Sequence, residues 1–440
     1  MLFRAAVCRF LAVAFLAGLQ LAAEVRTLTI LHTNDLHSRL MPLDNQMGGF
    51  AFLATVIRHE KDGCKDCVLM NAGDLAQGTP VSTIYRGMPV FEIANLLGID
   101  VSTLGNHDFD YGWQQAQNFV ETAKYPIVTS NVVDGKGKIL TGKPYVIVKV
   151  NGLRVGVIGA MTNALPSLTT PILMGDWHDI PVVETVRKYA AELRPQTDLI
   201  VVLGHLGPGE EKALLADGSA AVIVSGHLHS DLPMALTDGG RVLVRMKGYG
   251  EQLGRLELKV ETDTKSVVSW QWKKIPVDST KLVPAADVAA MVKTWEDKVT
   301  AVVDRPMGVS KRRVPHAEVK VLLEDAMREV TGADFAYMNS GGVRDFLPEG
   351  ELLERAAWNI MPFDNRVVFG AFKGRDLPSV ITKGKTIQPD KEYKLAVSDF
   401  TAANQSAGEQ LKSSGLVFPE DRGLLRDALI ALIRKRRVIE

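Results

Sequence analysis

Apolar and polar positions follow two patterns along the chain, and the change between them lies near residue 280. Before that point, short apolar runs such as "RTLTILH", "DLIVVLGH" and "YPIVTSNV" alternate with amphipathic stretches such as "GFAFLATVIRHEK". Short apolar runs are typical of buried strands, and apolar positions spaced three to four residues apart are typical of helices. The first segment therefore predicts an α/β domain, which includes a β-hairpin at the Asn151-Gly152 turn.

A second block begins after "WQWKKIPV". Pro284 opens "PAADVAAMVKTWEDKV", which predicts a connecting helix because proline is favoured in the first helical turn. The block beyond it has its own helix, "EVKVLLEDAMREVTG", and its own strands. We expect one domain over 24–280, a linker helix over 281–300 and a second domain over 301–440.

The first 23 residues are organised differently from the rest. Arg4 and Arg9 precede an apolar run over 10–21, and small residues follow. This order is typical of a cleavable secretory signal peptide, and the run is too short for a comfortable membrane span. An uncleaved anchor is the alternative. No later apolar stretch is long enough to cross a membrane, so we expect an exported protein, periplasmic or extracellular.

Composition narrows the class of partner. The 440 residues leave room for two to three domains, and a formal net charge of zero with 23% charged residues gives no electrostatic footprint for nucleic acid. The basic carboxyl end, "RKRRVI", predicts a solvated helix face. In an exported protein, Cys64 and Cys67 of "CKDC" predict a local disulfide, and a redox role is the alternative. Oligomeric state is not specified.

Polar side chains cluster where the predicted strands of the first domain end. Five of the nine histidines lie in these few loops. Ligand sites of α/β sheets form beyond the carboxyl ends of the strands, so these groups predict a metal site. Imidazole, carboxylate and carboxamide suit zinc, manganese or iron better than an all-oxygen calcium site. The groups are Asp35, His37, Asp74, Asn106, His107, Asp110, His205, His227 and His229.

The motifs "TILHTNDLHS", "AGDLAQGTP", "TLGNHDFDYG", "LGHLG" and "SGHLH" resemble those of the calcineurin-like metallophosphoesterases, and within them the 5′-nucleotidase branch. Their order agrees with that family across about 25–250. In the second block, "NSGGVRD" and "MPFDNRVV" resemble the 5′-nucleotidase carboxyl-terminal domain. The resemblance implies an α/β (α+β) fold: a four-layer α/β/β/α sandwich, a linker helix and a smaller α+β substrate-binding domain.

The resemblance also implies a site for two divalent metal ions, zinc or manganese. The implied ligands are Asp35, His37 and His229 for the first ion, Asn106, His205 and His227 for the second, and Asp74 as the bridge. His107 would face the phosphoryl oxygens and the leaving group, and Asp110 would orient it. Asp108 replaces a glutamate more usual in the family and is not expected to bind metal.

Phosphate esters resist attack because they are anionic and have poor leaving groups. Two cations roughly 3.5–4 Å apart neutralise that charge and lower the pKa of a bound water. We therefore expect a phosphohydrolase that uses in-line attack of a metal-bound hydroxide on a small-molecule nucleotide or related phosphoester.

The second domain is expected to select the substrate. By resemblance, Phe363 and Phe400 would sandwich a nucleobase. By its spacing from the following "EDAM" helix, Arg313 would be the family's second phosphate-binding arginine, with Arg312 as its rival. Paired guanidinium groups suit phosphate because each binds two oxygens at once. The nucleotide-gripping residues of "NSGGVR" are Asn339, Gly341, Gly342 and Arg344.

One motif departs from the family. Ser406 in "AANQSAG" stands where an aspartate usually holds the ribose hydroxyls, although Asn404 is kept. A neutral hydroxyl makes a weaker hydrogen bond than a carboxylate, so sugar phosphates, cyclic nucleotides and nucleotide sugars are alternative substrates.

Two further hypotheses use the same scaffold: hydrolysis of sulfur-containing thiosulfonate conjugates, and a catalytically inactive binding protein. The family further implies a large domain rotation, for which we expect a hinge near 284–305.

Overall fold

The computed structural model describes residues 24–403 and 416–440. The predicted signal peptide, Asn404 and Ser406 lie outside the described residues.

Two β-sheets face each other in the N-terminal domain, and a two-stranded ribbon of β4 and β7 accompanies them. The strands are β1 Val25–Thr33, β2 Cys67–Asn71, β3 Val101–Ser102, β4 Val132–Val133, β5 Tyr145–Val150, β6 Leu153–Met161, β7 His178–Asp179, β8 Leu199–His205, β9 Val222–Gly226, β10 Leu236–Asp238, β11 Arg241–Arg245, β12 Gln252–Glu261 and β13 Ser266–Pro276. The first sheet has the order β13-β12-β1-β2-β3, and the second has the order β10-β11-β9-β8-β6-β5. In each sheet the central strands run parallel, so their carboxyl ends meet at one edge.

Helices cover the outer face of each sheet. They are α1 Phe50–Lys61, α2 Pro80–Tyr85, α3 Met88–Ala94, α4 Trp113–Thr122, α5 Leu165–Leu168, α6 Pro171–Met174, α7 Val182–Leu193, α8 Pro208–Asp217 and α9 Ala286–Val303. Helices α1, α3, α4 and α9 pack on the first sheet, and α7 and α8 pack on the second. Buried side chains such as Ile30, Met70, Val157 and Val224 fill the space between the sheets. The four-layer α/β/β/α sandwich is thus confirmed.

The hairpin and the connecting helix occur where they were predicted. β5 and β6 pair antiparallel around Asn151 and Gly152, which have φ of 46° and 73° as a type I′ turn requires. The "YPIVTSNV" prediction was wrong over most of its length, since Val132 begins a regular strand and Ile127 makes only an isolated bridge to Ser102. At Asn131, the side chain bonds both the N–H and the C=O of Met161 in place of a backbone ladder.

The C-terminal domain is smaller and mixes helices with two sheets. Its sheets have the orders β16-β14-β20 and β15-β18-β17-β19. The strands are β14 Pro306–Ser310, β15 Phe335–Tyr337, β16 Gly350–Leu353, β17 Arg366–Lys373, β18 Glu392–Ser398, β19 Glu420–Leu424 and β20 Val438–Ile439. The helices are α10 His316–Thr331, α11 Glu354–Ile360, α12 Ser379–Thr382, α13 Asp399–Ala403 and α14 Leu425–Arg436. Apolar residues of α10, α11 and α14 form its main core, as the predicted α+β domain requires.

Helix α9 joins the two domains and contacts both. Its Val288, Val292 and Val299 are buried against the N-terminal domain. From the other side, the Arg355 guanidinium donates to Glu296 and to Asp304 at the end of α9. The exact domain limits stay a prediction.

Three smaller predictions can also be compared with the structure. Cys64 and Cys67 form a disulfide, with Cα atoms 5.6 Å apart. The basic end of α14 is a solvated face, where Arg434, Lys435 and Arg436 are ion-paired to acidic residues. Within 24–403 and 416–440, every helix is too short or too polar to span a bilayer.

Candidate active site

Several polar residues at the strand ends have left-handed backbone conformations. Asp35, His37, Asp74, His227 and His229 have φ of 52°, 46°, 54°, 81° and 50°. Non-glycine residues rarely adopt positive φ, and such strain concentrates at functional sites. The sharp turns bring side chains from β1, β2 and β9 to one point above the sheets.

Four of these side chains converge closely enough to share a cation. The ligand atoms of Asp35, His37, Asp74 and His229 all lie within 4.8 Å of one another. His37 Nε2 is 2.8 Å from His229 Nε2 and 3.5 Å from Asp74 Oδ2. The Nδ1 atom of His37 lies 3.2 Å from the carbonyl oxygen of Gln77, so a proton there leaves Nε2 as a lone pair facing the cluster.

A second group adjoins the first through Asp74. His205 Nε2 lies 3.1 Å from Asp74 Oδ2 and 3.2 Å from Asn106 Oδ1. His205 Nδ1 lies 2.9 Å from the carbonyl oxygen of Ala72, which again directs Nε2 into the cluster. The His227 ring packs against the His205 ring at 5.0 Å. The predicted metal ligands thus lie in two adjoining groups, and Asp74 is close to both.

These residues fit a metal site. Asp74 Oδ2 is buried near two imidazole nitrogens yet has no hydrogen-bond partner in the described chain. A buried acceptor without a partner is costly, and facing lone pairs repel each other unless a cation lies between them. The mixed nitrogen and oxygen donor set suits zinc, manganese or iron.

Electrostatics favour a charged Asp74 and a neutral His37, which are the states that bind a cation. Burial would raise the pKa of Asp74, but His205 and His107 hold it well below its usual range. Burial also lowers the pKa of His37 well below its ordinary value. His205 differs, because Asp74 and Asp35 overcome burial and raise its pKa to about 9. Binding a cation there would therefore release a proton.

His107 and Asp110 form a pair beside the cluster. The 3-10 helix Asn106–Phe109 places the Nδ1 atom of His107 2.7 Å from Asp110 Oδ2. The backbone N–H of His107 donates to Asp74 Oδ1 at 2.9 Å. Burial opposes protonation of His107, but the carboxylates of Asp110 and Asp74 raise its pKa. The raised pKa favours the protonated ring, and His107 lines the cavity.

Asp108 supports this loop. Its carboxylate accepts the backbone N–H groups of Gly105, Asp74 and Ala76 at 2.8, 3.2 and 3.0 Å. Gly105 is required here, because a Cβ atom would lie 2.1 Å from Asp74 Oδ1. Asp108 thus ties two strand-end loops together.

A cavity of about 860 Å³ opens over the cluster and is lined by both domains. The Phe363 ring lies 5.8 Å from the His107 ring, and the Arg344 guanidinium lies 5.8 Å from the centre of Phe363. Gly342 permits close packing, since a Cβ atom would lie 2.3 Å from Met338 Cε. The lining includes Asp74, Asn106, His107, Asp110, His227 and His229 from the first domain, and Asn339, Gly341, Gly342, Arg344, Phe363 and Phe400 from the second.

The structure does not bring Arg313 to this cavity. Arg313 is exposed, and its guanidinium lies 3.5 Å above the ring of Phe346. Its rival Arg312 is ion-paired with Glu318. A phenylalanine close in space but 33 positions away in sequence could not be foreseen from the spacing that suggested Arg313.

The sequence analysis did not identify all the residues that line the cavity. Arg86, Leu168 and Ile172 of the N-terminal domain also line the cavity, as does Tyr337. Ile172 is 85% exposed there, on a segment whose other side carries buried Met174. Two short helices without regular periodicity gave no signal that this segment reaches the site.

Two family models match the chain. Residues 28–231 match the calcineurin-like phosphoesterases, and residues 298–383 match the 5′-nucleotidase C-terminal domain. The 5′-nucleotidase of Vibrio parahaemolyticus is 28% identical over 80% of this chain and 73% of its own length. Endonuclease YhcR of Bacillus subtilis is 25% identical over 90% of this chain, but the chain spans only 39% of that relative.

Solved structures share the whole fold. A 5′-nucleotidase precursor from Thermus thermophilus superposes with a TM-score of 0.83 at 21% identity, and the match covers 94% of this chain and 97% of that one. The sulfate thiohydrolase SoxB of Thermus thermophilus superposes with a TM-score of 0.79 at 16% identity, covering 93% and 94%. The two family models, and not the shared fold, show that the chain belongs to the 5′-nucleotidase family, with a calcineurin-like phosphoesterase domain and a 5′-nucleotidase C-terminal domain, and that it is a metal-dependent phosphoester hydrolase.

Proposed function

We propose that this protein is an exported two-metal phosphohydrolase that releases phosphate from 5′-nucleotides or closely related phosphoesters. One observation carries the proposal. A single cavity adjoins both the cluster of potential metal ligands around Asp74 and the side chains of Phe363, Phe400 and Arg344. An anionic ester and its organic leaving group could thus be bound in one place.

Seven residues would hold the metals: Asp35, His37 and His229 for one ion, Asn106, His205 and His227 for the other, with Asp74 between them. When bound, two divalent cations neutralise the phosphoryl charge and make water nucleophilic near neutral pH. The alternative of an inactive binding protein would require a failed donor set, whereas each of these positions carries a competent ligand.

Protein side chains would supply the remaining catalysis. His107, held by Asp110 through Nδ1, would in its protonated form stabilise the phosphoryl oxygens or give its Nε2 proton to the leaving oxygen. Arg344 can grip the phosphoryl group with two parallel N–H donors. His107 belongs to the same domain as the metal ligands, whereas Arg344 would reach the phosphoryl group when the two domains are apposed.

The leaving group would lie between the domains. Phe363 and Phe400 line the cavity together and offer two aromatic faces to a base, with Tyr337 and Ile172 nearby. The cavity of about 860 Å³ exceeds the need of a small sugar phosphate alone. A nucleotide is therefore the favoured substrate, and nucleotide sugars and cyclic nucleotides come next.

Phosphate release from 5′-AMP by the purified, manganese-loaded full chain tests this function. We expect release that a chelator abolishes and that added manganese restores. Ribose 5-phosphate, a nucleotide sugar, a cyclic nucleotide and a thiosulfonate would be assayed in parallel. No phosphate from any ester, with metal bound, would refute the phosphohydrolase, and sulfate from the thiosulfonate would reassign the reaction.

Export would be tested separately. The order of residues 1–23 and the Cys64–Cys67 disulfide both support it. We expect the protein to fractionate with the periplasm or medium and to begin near residue 24. Recovery of the full-length chain from the cytoplasm would contradict export.

A further inference from the structure

An ion pair crosses between the two domains directly beside the active site. Arg39 Nη1 lies 3.1 Å from Asp345 Oδ2, and the two side chains are only 11% and 19% exposed. Arg39 lies two residues after the proposed ligand His37, and Asp345 immediately follows Arg344. The pair therefore connects the metal-side loop of one domain to the substrate-side loop of the other.

Arg39 is held by the framework of the metal cluster. Its guanidinium lies 5.2 Å over the ring of Tyr249, within the range of a cation–π contact. The Tyr249 ring in turn lies 5.8 Å from the ring of His37 and 5.4 Å from that of His229. The backbone N–H of Tyr249 donates to the carbonyl oxygen of Asp35 at 2.7 Å. Arg39 thus has a fixed position relative to the cluster.

Asp345 is held on the loop that carries Arg344. Its Oδ1 accepts the backbone N–H of Phe346 at 2.9 Å, which leaves Oδ2 for Arg39. The backbone N–H of Arg344 donates to the carbonyl oxygen of Ile360 at 2.9 Å. The Arg344 backbone is thus anchored within its own domain, and the neighbouring Asp345 joins that loop to the other domain.

We propose that Arg39 and Asp345 are positioning residues that dock the Arg344 loop against the metal cluster and thereby set where the phosphoryl group lies. The inference rests on the proposed function. The partners belong to different domains, so their bond exists only when the domains are apposed. Because both side chains are largely buried, breaking the bond leaves a desolvated charge without its partner. The bond therefore favours the apposed arrangement of the domains.

A purely stabilising ion pair is the competing explanation, and kinetics separate the two. Misplacing a reacting group by about 1 Å costs on the order of a hundredfold in rate. We expect Asp345→Asn and Arg39→Gln each to lower kcat for 5′-AMP by about 10- to 100-fold, with KM and metal content changed less than about twofold. Arg39→Lys keeps a charge for this single contact and should recover most of kcat.

A double-mutant cycle tests whether the pair acts as a unit. The double variant Arg39→Gln/Asp345→Asn should be no slower than the worse single variant, because both changes remove the same contact. Glu296→Gln is the matched control, since it weakens an ion pair between α9 and Arg355 away from Arg344. Multiplying losses in the double variant, or an equal loss of kcat in the control, would overturn the proposal.

A structural readout keeps the test independent of substrate identity. Spin labels on the exposed positions Lys149→Cys and Lys373→Cys report the distance between the domains. Asp345→Asn should broaden or lengthen that distance distribution. An unchanged distance distribution together with an unchanged kcat would refute the positioning role of Arg39 and Asp345. If the wild-type chain hydrolyses no phosphoester, the proposed function fails, whereas the distance measurement still decides whether the pair docks the domains.

Discussion

The two halves of the cavity are built differently. The metal half, defined by the seven proposed ligands, comes from strand ends of one domain, and its Asp35, His37 and His205 are fully buried. The substrate half, defined by Asn339, Gly341, Gly342, Arg344, Phe363 and Phe400, lies on loops and short helices that are mostly half-buried. The metal half is thus complete within one domain, whereas the position of the substrate half depends on how the domains meet.

The largest expected effect comes from the centre of the metal half. Asp74→Asn keeps the shape but removes the charge that two cations would share, so kcat/KM should fall by at least about 10⁴-fold. Phosphate release and metal content by elemental analysis would be measured together.

Asp44→Asn, an exposed carboxylate change, is the control for Asp74→Asn. An active, fully metallated Asp74→Asn protein would mean that the metal half is organised around another residue.

A His107 variant separates metal binding from catalysis, because His107 lies beside the metal half without being one of its proposed ligands. His107→Ala should lower kcat by about 10²- to 10³-fold, the range of lost proton transfer, while metal content stays near the wild-type value. The hydrogen bond from His107 to Asp74 is donated by the backbone N–H, which alanine retains. Equal losses of metal and turnover would show that His107 has no separate role.

A substitution in the substrate half should mainly raise KM. Phe363→Ala removes one aromatic face, for which stacking accounts for up to about 1.5 kcal/mol, so KM for 5′-AMP should rise about tenfold. KM for ribose 5-phosphate, which has no base, should change less than about twofold. A loss for both substrates would indicate that Phe363 supports His107 through its ring contact instead of holding a base.

The same contrast explains what the sequence could predict. The metal half was readable because Asp35, Asp74 and His205 each follow an apolar strand, and parallel strands deliver their ends to one edge. The four layers followed from the same alternation. Residue spacing could not predict positions that depend on contacts between residues distant in sequence. Arg313 stacks on Phe346, and Ile172 lines the cavity from a short helix without regular periodicity. The contact between Arg39 and Asp345 forms only because the two domains pack together.

The smallest expected effect on activity concerns His32, a histidine of the N-terminal domain that lies outside the metal cluster. His32 on β1 is fully buried, and its Nε2 accepts the indole N–H of Trp272 at 3.0 Å. Its Nδ1 therefore carries the proton of a neutral ring and has no partner within the described chain. Burial lowers the pKa of His32 from 6.5 to about 3.

This depressed pKa predicts a specific loss of stability in acid. Above pH 6.5 the ring is neutral in both states and adds no pH dependence. As the pH falls from 6.5 towards 3, the unfolded chain takes up a proton that the folded chain refuses, so the free energy of unfolding falls by up to about 1.4 kcal/mol per pH unit. Urea unfolding between pH 7 and pH 4.5 would measure the slope. His32→Gln should be shallower over that range and keep wild-type kcat at neutral pH, because the residue supports the metal half without facing it. Parallel slopes in the two proteins would assign the acid sensitivity to the cluster histidines instead.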